Sequence, residues 1–336
     1  MTTYRAYQVS GPDGFALVER ELRAPGPGEV RLRVEACGVC HSDALAVFGL
    51  FRADASAPII PGHEIAGVVD AVGAGVHAWR PGDRAGVGFL NGPCYECDHC
   101  RRGDFVNCAD QAKTGTTVDG GYAEIAYARA SGLVRLPAEL SAAEAAPLLC
   151  AGITVFRGLT DVGLPPGSLV AVQGVGGLGH LAIQFAHALG HQVVAIGRGT
   201  GKAALALELG ADEFVSENPA EALQKRGGAA AILATAADGG AMSALIGGLA
   251  PHGRLVVIGA GGDPISVDTG QMLFGERALT GTMVGTAIQT EDALSFAVRR
   301  GVRSANQIMP LSEAPKAFER MMAGDARFRI VLDTAA

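Results

Sequence analysis

A glycine-rich stretch in the second half of the chain, Gly174-Val175-Gly176-Gly177-Leu178-Gly179, limits most strongly what the chain can fold into. One residue, Gln173, separates it from an apolar run, Leu169–Val172, with the composition of a buried strand, and it opens a predicted helix over Leu178–Leu189. A lone G-x-G-x-x-G pattern is a weak signal, but between a strand and a helix it is typical of a dinucleotide site. The glycines let the backbone approach a pyrophosphate, whose charge meets the helix N-terminus.

Strand-like and helix-like segments continue to alternate beyond this turn. A second strand is predicted over Val193–Ile196, and the further segments are Ala203–Leu209, Ala230–Ala234, Met242–Leu249, Leu255–Ile258 and Leu279–Val284. Alternation of this kind predicts an α/β fold with a doubly wound parallel sheet, the Rossmann architecture.

The first 150 residues have a different pattern, because short predicted strands are broken by Gly and Pro. The strand candidates are Arg5–Ser10, Phe15–Glu21, Val30–Ala36, Ile65–Val72 and Tyr122–Ala128. This punctuation favours a mostly antiparallel, barrel-like domain. The C-terminal tail, with the predicted elements Glu291–Arg300, Ala314–Met322 and Arg329–Asp333, is expected to return to it. We therefore predict one domain from residues 1–150 and 287–336, and a dinucleotide-binding domain from residues 151–286.

Three potential metal ligands, Cys40, His63 and Cys150, are widely separated in the first domain. Two thiolates and one imidazole would leave the fourth position of a tetrahedral zinc open for substrate. Each residue alone could equally belong to the core, since a buried cysteine usually packs as a small hydrophobe. Their presence together, beside a second cysteine cluster, favours a catalytic metal site.

The second cluster has the spacing C-x2-C-x2-C-x7-C and consists of Cys94, Cys97, Cys100 and Cys108. Four thiolates saturate a tetrahedral zinc, so this metal is expected to be structural and to hold a lobe poor in apolar residues. The alternatives are an iron–sulfur cluster and a nucleic-acid-binding zinc ribbon. Neighbouring Arg101 and Arg102 give the ribbon some support, but no wider basic surface accompanies them.

The residues after the second strand of the dinucleotide-binding domain bear on the choice of coenzyme. Sites that prefer NAD usually carry Asp or Glu there, and this chain has Gly197, followed by Arg198 and later Lys202. A missing acid and added bases favour a 2′-phosphate, and hence NADP(H) over NAD(H), because a carboxylate would repel that phosphate. The alternative is that Arg198 is a solvated loop charge.

Composition argues against several other classes of partner and location. A net charge of -7 and a pI near 5.6 argue against nucleic acid or an anionic membrane as partner. No apolar run approaches the roughly 18 residues of a membrane span, and the N-terminus lacks the apolar core of a signal peptide. Seven cysteines in such a chain suit metal ligation in the reduced state, so we expect a cytoplasmic protein.

Together these motifs resemble those of the zinc-dependent alcohol dehydrogenases of the medium-chain dehydrogenase/reductase family. Besides the two cysteine sites and the glycine turn, the stretches Gly38–Asp43, Gly62-His63-Glu64 and Cys150–Thr154 occur in the family's order. The resemblance covers essentially the whole chain. It implies a catalytic domain with a chaperonin-10-like barrel, a Rossmann coenzyme domain, two Zn2+ per subunit, and a homodimer or homotetramer.

The same resemblance implies roles for residues near the catalytic zinc. Cys40, His63 and Cys150 would be its ligands, and Asp43 would orient the imidazole of His63. Glu64 would be a carboxylate able to approach the metal when substrate is absent.

Further residues would contact coenzyme and substrate. Ser42 would hydrogen-bond the substrate oxygen, but Leu45 stands where many relatives carry the histidine of a proton relay, so the relay beyond Ser42 stays open. The remaining expectations are His41 at the coenzyme pyrophosphate, Thr154 and Leu178 at the nicotinamide ring, and Phe51, Phe89 and Leu90 either as substrate-pocket walls or as ordinary core.

The function implied is reversible oxidation of an alcohol, with zinc as Lewis acid and the coenzyme as hydride carrier. The apolar Phe51 and Phe89 favour primary alcohols, including aromatic or medium-chain ones, and thus a small-molecule substrate. The alternatives are a polyol or secondary-alcohol dehydrogenase of the same superfamily and, from another class, a non-catalytic zinc- and nucleotide-binding protein. The last would need no open metal position.

Overall fold

The computed structural model describes residues 2–10, 14–50, 54 and 56–334. Its strands are β1 (Thr3–Val9), β2 (Phe15–Glu21), β3 (Glu29–Val39), β4 (Glu64–Val72), β5 (Arg84–Val87), β6 (Ile125–Arg129), β7 (Leu133–Arg135), β8 (Leu169–Gln173), β9 (Gln192–Ile196), β10 (Glu213–Val215), β11 (Ala229–Ala234), β12 (Leu249–Val257), β13 (Ala278–Gly281), β14 (Asn306–Pro310) and β15 (Arg329–Asp333). Its α-helices are α1 (Ala44–Val47), α2 (Asp98–Arg101), α3 (Ala142–Ala145), α4 (Ala151–Thr160), α5 (Gly179–Ala188), α6 (Ala203–Glu208), α7 (Pro219–Gln224), α8 (Gly239–Leu245), α9 (Thr269–Gly275), α10 (Ala287–Arg300) and α11 (Ala314–Met322). Short 3-10 turns lie at His41–Asp43, Ala130–Gly132, Ala146–Leu149, Ile246–Gly248 and Leu311–Glu313.

The chain divides into two compact units. Unit one comprises Met1–Ile153, Val284–Arg299 and Ser304–Ala336, and unit two comprises Thr154–Met283 with the short return Arg300–Arg303. The domain boundaries expected from the sequence, 1–150 with 287–336 and 151–286, stay a prediction and did not include the return at Arg300–Arg303.

Unit one is built on a seven-stranded sheet in the order β14-β15-β3-β4-β5-β7, with β6 also paired to β3. All of its strand pairs are antiparallel except β14 with β15. Strand β3 lies at the centre, and its alternate residues Val30, Leu32 and Val34 are buried in the core. The β3–β4 register shifts at two points, and such irregularities bend a strand and increase its twist. The mostly antiparallel sheet predicted for this part of the chain is thereby confirmed.

Unit two contains six parallel strands in the order β10-β9-β8-β11-β12-β13. In order along the chain this is the 3-2-1-4-5-6 arrangement of the Rossmann fold. The order reverses between β8 and β11, and ligands of such sheets bind at the carboxyl ends of the strands beside that reversal. The predicted doubly wound sheet is confirmed.

No single helix in the described ranges has the length and apolarity of a membrane span. The bent pair Ala142–Leu149 and Ala151–Thr160, which meet at 50°, passes that test by length and composition only.

Candidate metal centre and coenzyme site

Cys40, His63, Glu64 and Cys150 form a buried cluster in unit one, with one potential ligand atom from each lying within 4.8 Å of all the others. The pairing of β3 with β4 brings the first two together. Gly38 near the end of β3 lies opposite Glu64 at the start of β4, so the residues just beyond this rung, Cys40 and His63, are neighbours. The antiparallel register thus converts a long separation in sequence into a single site.

Cys150 reaches the cluster from the junction of a 3-10 turn, Ala146–Leu149, with α4. Leu149 lies directly on two glycines near the end of β5. A Cβ on Gly86 would meet a Leu149 methyl group at 2.7 Å, and a Cβ on Gly88 would meet the Leu149 carbonyl oxygen at 2.6 Å. These glycines allow the turn to approach the sheet closely enough to place the Cys150 thiol in the cluster.

The imidazole of His63 is oriented by a carboxylate. Its Nδ1 lies 2.7 Å from Asp43 Oδ1, and both side chains are 1% exposed. A carboxylate at Nδ1 keeps the proton there and leaves the lone pair on Nε2 for a metal. Nε2 is buried and has no hydrogen-bonding partner among the described residues, which is rare for a buried polar atom.

The donor set therefore fits a zinc ion. A hydrogen bond from Cys150 lowers the pKa of Cys40 well below its usual range, which favours the thiolate that zinc binds. Two sulfurs and the unpartnered Nε2 of His63 would supply three ligands, and a tetrahedral zinc held by these three has a fourth position for substrate.

Glu64 is held by an arginine that the sequence reasoning did not single out. Arg329, 7% exposed on β15, forms an ion pair with Glu64 Oε1. Burial raises the pKa of Glu64 to about 8, although the Arg329 charge acts in the opposite direction. Glu64 Oε2 lies over Gly38, where an added Cβ would be only 1.9 Å away. The available signal was a lone cation in the otherwise apolar stretch Phe328–Leu332.

The residues beside Cys40 occupy the 3-10 turn His41–Asp43. Asp43 is buried, Ser42 is half-buried and His41 is exposed, while Leu45 is half-buried on α1. Asp43 Oδ2 accepts hydrogen bonds from the Cys40 N–H and from the hydroxyl of Tyr122, both at 2.9 Å. Tyr122 is a second residue that the sequence reasoning did not assign to the site.

Among the predicted pocket residues, Phe89 meets the metal cluster directly. Its ring packs edge-on against the imidazole of His63, with a centroid distance of 5.3 Å and an interplanar angle of 79°. Leu90 follows it and is half-buried. Phe51 lies outside the described residues.

The four remaining predicted thiolate ligands form the second cluster. One Sγ from each of Cys94, Cys97, Cys100 and Cys108 lies within 4.8 Å of the other three. The backbone N–H groups of Glu96 and Cys97 each donate to Cys94 Sγ at 3.4 Å, and that of Ala109 donates to Cys97 Sγ at the same distance. Backbone N–H groups, chiefly those of Cys100 and Ala109, lower the pKa of Cys97 to about 6. These donors stabilise negative sulfur, as a closed tetrathiolate metal site requires.

The glycine turn of unit two has the shape that a pyrophosphate site needs. Gly174 has a φ of +92°, a Cβ on Gly179 would lie 1.7 Å from the Gly174 carbonyl oxygen, and Gly176 has open space beside it. Gly177 and Leu178, both half-buried, connect this turn to α5. The backbone is therefore exposed to a ligand at the N-terminus of α5, beside the reversal of strand order.

Of the residues expected near the ribose, Lys202 contacts this glycine turn. Lys202 Nζ donates to the Val175 carbonyl at 2.7 Å. Gly197 stands at the end of β9, where an added Cβ would approach the Phe214 ring to 2.9 Å, and Arg198 beside it is exposed. Thr154, expected at the nicotinamide, is buried on α4.

Two protein-family models match the chain, one in each half. Residues 26–138 match the alcohol dehydrogenase GroES-like domain, and residues 177–299 match the zinc-binding dehydrogenase domain. The chain is 41% identical over 322 residues to alcohol dehydrogenase patD of Penicillium expansum, covering 95% of this chain and 94% of the relative.

Solved structures agree as well. A cinnamyl alcohol dehydrogenase from Sorghum bicolor has 32% identity and a TM-score of 0.91, covering 100% of this chain and 98% of that one. CAD from Helicobacter pylori, complexed with NADP(H), has 25% identity and a TM-score of 0.88, covering 99% of each chain. Another match, with 25% identity, a TM-score of 0.91 and coverage of 98% of this chain and 99% of that one, is described as an NAD-dependent alcohol dehydrogenase.

The chain therefore belongs to the zinc-dependent alcohol dehydrogenases of the medium-chain dehydrogenase/reductase family, which confirms the resemblance. It is an NAD(P)-dependent oxidoreductase that acts on alcohols and uses zinc.

Proposed function

We propose that this alcohol dehydrogenase interconverts primary alcohols, including aromatic or medium-chain ones, with their aldehydes at a zinc held by Cys40, His63 and Cys150. The observation that carries the proposal is the buried three-ligand set with the unpartnered Nε2 of His63 and the Phe89 ring packed against it. An aromatic wall beside the metal favours an apolar substituent on the reacting carbon. The Sorghum relative, described as a cinnamyl alcohol dehydrogenase, acts on a substrate of this kind.

Several side chains of the protein have separate roles around the zinc and the substrate. When bound, the zinc supplies Lewis-acid polarisation of the substrate oxygen and the coenzyme supplies hydride chemistry. Asp43 holds the His63 imidazole in one tautomer, and Arg329 contacts Glu64 inside the core. Ser42 follows His41 in the turn after Cys40, and we propose that its hydroxyl accepts the first proton from substrate as it releases its own proton to water. Leu45 cannot carry that proton further.

A substrate panel tests the proposal. Purified protein loaded with zinc is assayed with a primary aromatic alcohol, a medium-chain primary alcohol, a secondary alcohol and a polyol, and NAD(P)H formation is followed by absorbance. We expect the highest kcat/KM for the primary aromatic or medium-chain alcohol. A clear preference for the polyol or the secondary alcohol would contradict the substrate class.

We further propose that NADP(H) is preferred over NAD(H). Gly197 leaves no carboxylate at the end of β9, and the exposed Arg198 beside it can face a 2′-phosphate. Arg198→Ala is expected to lower kcat/KM with NADPH by roughly 10- to 100-fold, because a hydrogen bond to a charged group contributes about 1.5–3 kcal/mol. Efficiency with NADH should change by less than about threefold, because NADH lacks the phosphate.

The matched control for this substitution is Arg226→Ala, which removes a surface arginine of unit two that pairs with Glu213. It should alter neither efficiency. Equal losses with both coenzymes in the Arg198 variant, or a wild-type preference for NADH, would contradict the assignment.

We also infer that the protein is a homodimer or homotetramer, formed in part by pairing of β13 with its copy. This strand is an edge of the six-stranded sheet, and edges carry unpaired N–H and C=O groups. Exposed apolar side chains lie on it and on the preceding α9: Leu279 is 38% exposed, Leu273 72% and Phe274 90%.

A cytoplasmic location would keep the seven thiols of the subunit reduced.

Phe274→Glu is expected to shift the protein to a smaller species, measured by size-exclusion chromatography with light scattering. A charge at this exposed position would have to be desolvated in the interface but not in the isolated subunit. Leu17→Glu, on the exposed face of β2, is the control and should leave the mass unchanged. An unchanged mass for the Phe274 variant, or a monomeric wild type, would contradict this interface.

A further inference from the structure

Tyr122 is a buried residue whose hydroxyl has no role in the function described so far. Its side chain is 0% exposed, and its hydroxyl donates to Asp43 Oδ2 at 2.9 Å. Burial and the Asp43 charge raise the pKa of Tyr122 well above its usual range. The phenol is therefore neutral and serves the carboxylate as a hydrogen-bond donor.

The Asp43 carboxylate that receives this hydrogen bond touches two of the proposed zinc ligands. Its Oδ2 also accepts from the backbone N–H of Cys40, and its Oδ1 lies 2.7 Å from His63 Nδ1. Asp43 is 1% exposed, so no water replaces a missing donor without a change in the packing around it. The hydroxyl of Tyr122 is one of the two donors that fix Oδ2, and through it the direction of Oδ1.

The backbone around Tyr122 also holds the segment that precedes His63. The N–H groups of Gly120, Gly121 and Tyr122 donate to the carbonyls of Ile60, Gly62 and Pro61 at 2.7, 2.9 and 3.0 Å. Gly62 passes against the Tyr122 ring so closely that a Cβ there would lie 2.4 Å from a ring carbon. Tyr122 is thus connected to His63 in two ways: by backbone hydrogen bonds to the segment before His63, and by its hydroxyl through Asp43.

We propose that Tyr122 is a positioning residue of the metal centre: its hydroxyl fixes the Asp43 carboxylate, which holds the His63 imidazole in the orientation that binds zinc. The inference rests on the zinc site proposed at Cys40, His63 and Cys150. Partners that hydrogen-bond a metal ligand typically change metal affinity 10- to 100-fold. Because Tyr122 acts one step further out, we expect an effect of about 10-fold.

The test compares Tyr122→Phe with Tyr127→Phe. Phenylalanine keeps the ring that packs against Gly62 and removes only the hydroxyl. The control loses a hydroxyl that donates to the Arg23 carbonyl, away from the metal cluster. Zinc dissociation constants are measured by competition with a chromogenic chelator, and the cobalt-substituted proteins are compared by their visible spectra. Fluorescence of Trp79 confirms that each variant is folded.

We expect one of two zinc ions to bind about 10-fold more weakly in Tyr122→Phe, with a changed cobalt spectrum, while Tyr127→Phe matches the wild type. Identical affinities and spectra in the two variants would overturn this inference alone. A wild-type chain that binds only one zinc, in the four-cysteine cluster, would overturn the proposed site together with it.

A double-mutant cycle separates positioning through Asp43 from simple packing. If Tyr122 acts through the carboxylate, adding Tyr122→Phe to Asp43→Ala should change zinc affinity by less than about twofold, since the group that accepts the Tyr122 hydroxyl is already gone. A further loss of about 10-fold in the double variant would show that the two side chains act independently, and would overturn the proposal.

Discussion

Cys40→Ala is expected to lower kcat/KM by roughly 10³- to 10⁴-fold, while the affinity for NADPH stays within about twofold of the wild type. Lewis-acid stabilisation by a bound metal contributes several kcal/mol to such a reaction, and removing one of three ligands opens the site. Cys40 directly follows β3 in unit one, whereas the glycine turn proposed to hold the pyrophosphate belongs to unit two. Stopped assays give the activity, and coenzyme fluorescence titration gives the affinity.

The matched control for this experiment is Cys37→Ala. Cys37 is a fully buried cysteine on β3, shortly before Cys40, and burial raises the pKa of its thiol well above the usual range. We expect this variant to keep two zinc ions and nearly full activity. Retained turnover in the Cys40 variant, or two zinc ions still bound to it, would contradict a catalytic role for the metal cluster.

Cys97→Ser should lower the thermal unfolding midpoint by roughly 10–20 °C. Structural zinc supplies about 10–16 kcal/mol of apparent binding free energy in small zinc modules, and losing about 5 kcal/mol of stability corresponds to a shift of that size. Exposed polar contacts of this lobe, such as His99 Nδ1 with Asp104 at 3.2 Å, contribute little in its place. The midpoint is measured by Trp79 fluorescence, alongside metal content.

His99→Ser is the control within the same lobe. It removes an exposed metal-binding type of residue that lies outside the four-thiolate cluster. The expected change in the midpoint is below about 3 °C. A Cys97 variant as stable as this control, with its zinc intact, would show that the cluster does not bind metal through all four sulfurs.

The sequence predicted best those elements whose signal is local. The glycine turn after β8 was found because glycine there serves both a positive φ and the close approach of Gly179 to Gly174. Strand β2 and helix α11 were predicted with the bounds that the structure has. The short strands β5 and β7 were missed, since so few residues carry no readable periodicity.

Within the site, the sequence identified metal-binding residue types but not the side chains that hold them. Arg329 pairs with Glu64, and Tyr122 donates to Asp43, across separations of 265 and 79 residues. Such partners depend on sheet register and packing, which no local pattern contains. Arginine on a strand and tyrosine beside two glycines are common, so neither indicates a role until the neighbouring strands are in place.

The register of β3 on β4 links metal supply to the fidelity of folding. Gly38 faces Glu64 in the native pairing, and a slip of a single residue would displace the two strands by about 3.3 Å and turn Cys40 and His63 to opposite faces. Zinc would then bind only the correctly paired chain and would stabilise it by mass action. A cell short of zinc would therefore lack the catalytic metal, and it would also lack the added stability that favours the correct strand pairing in newly made chains.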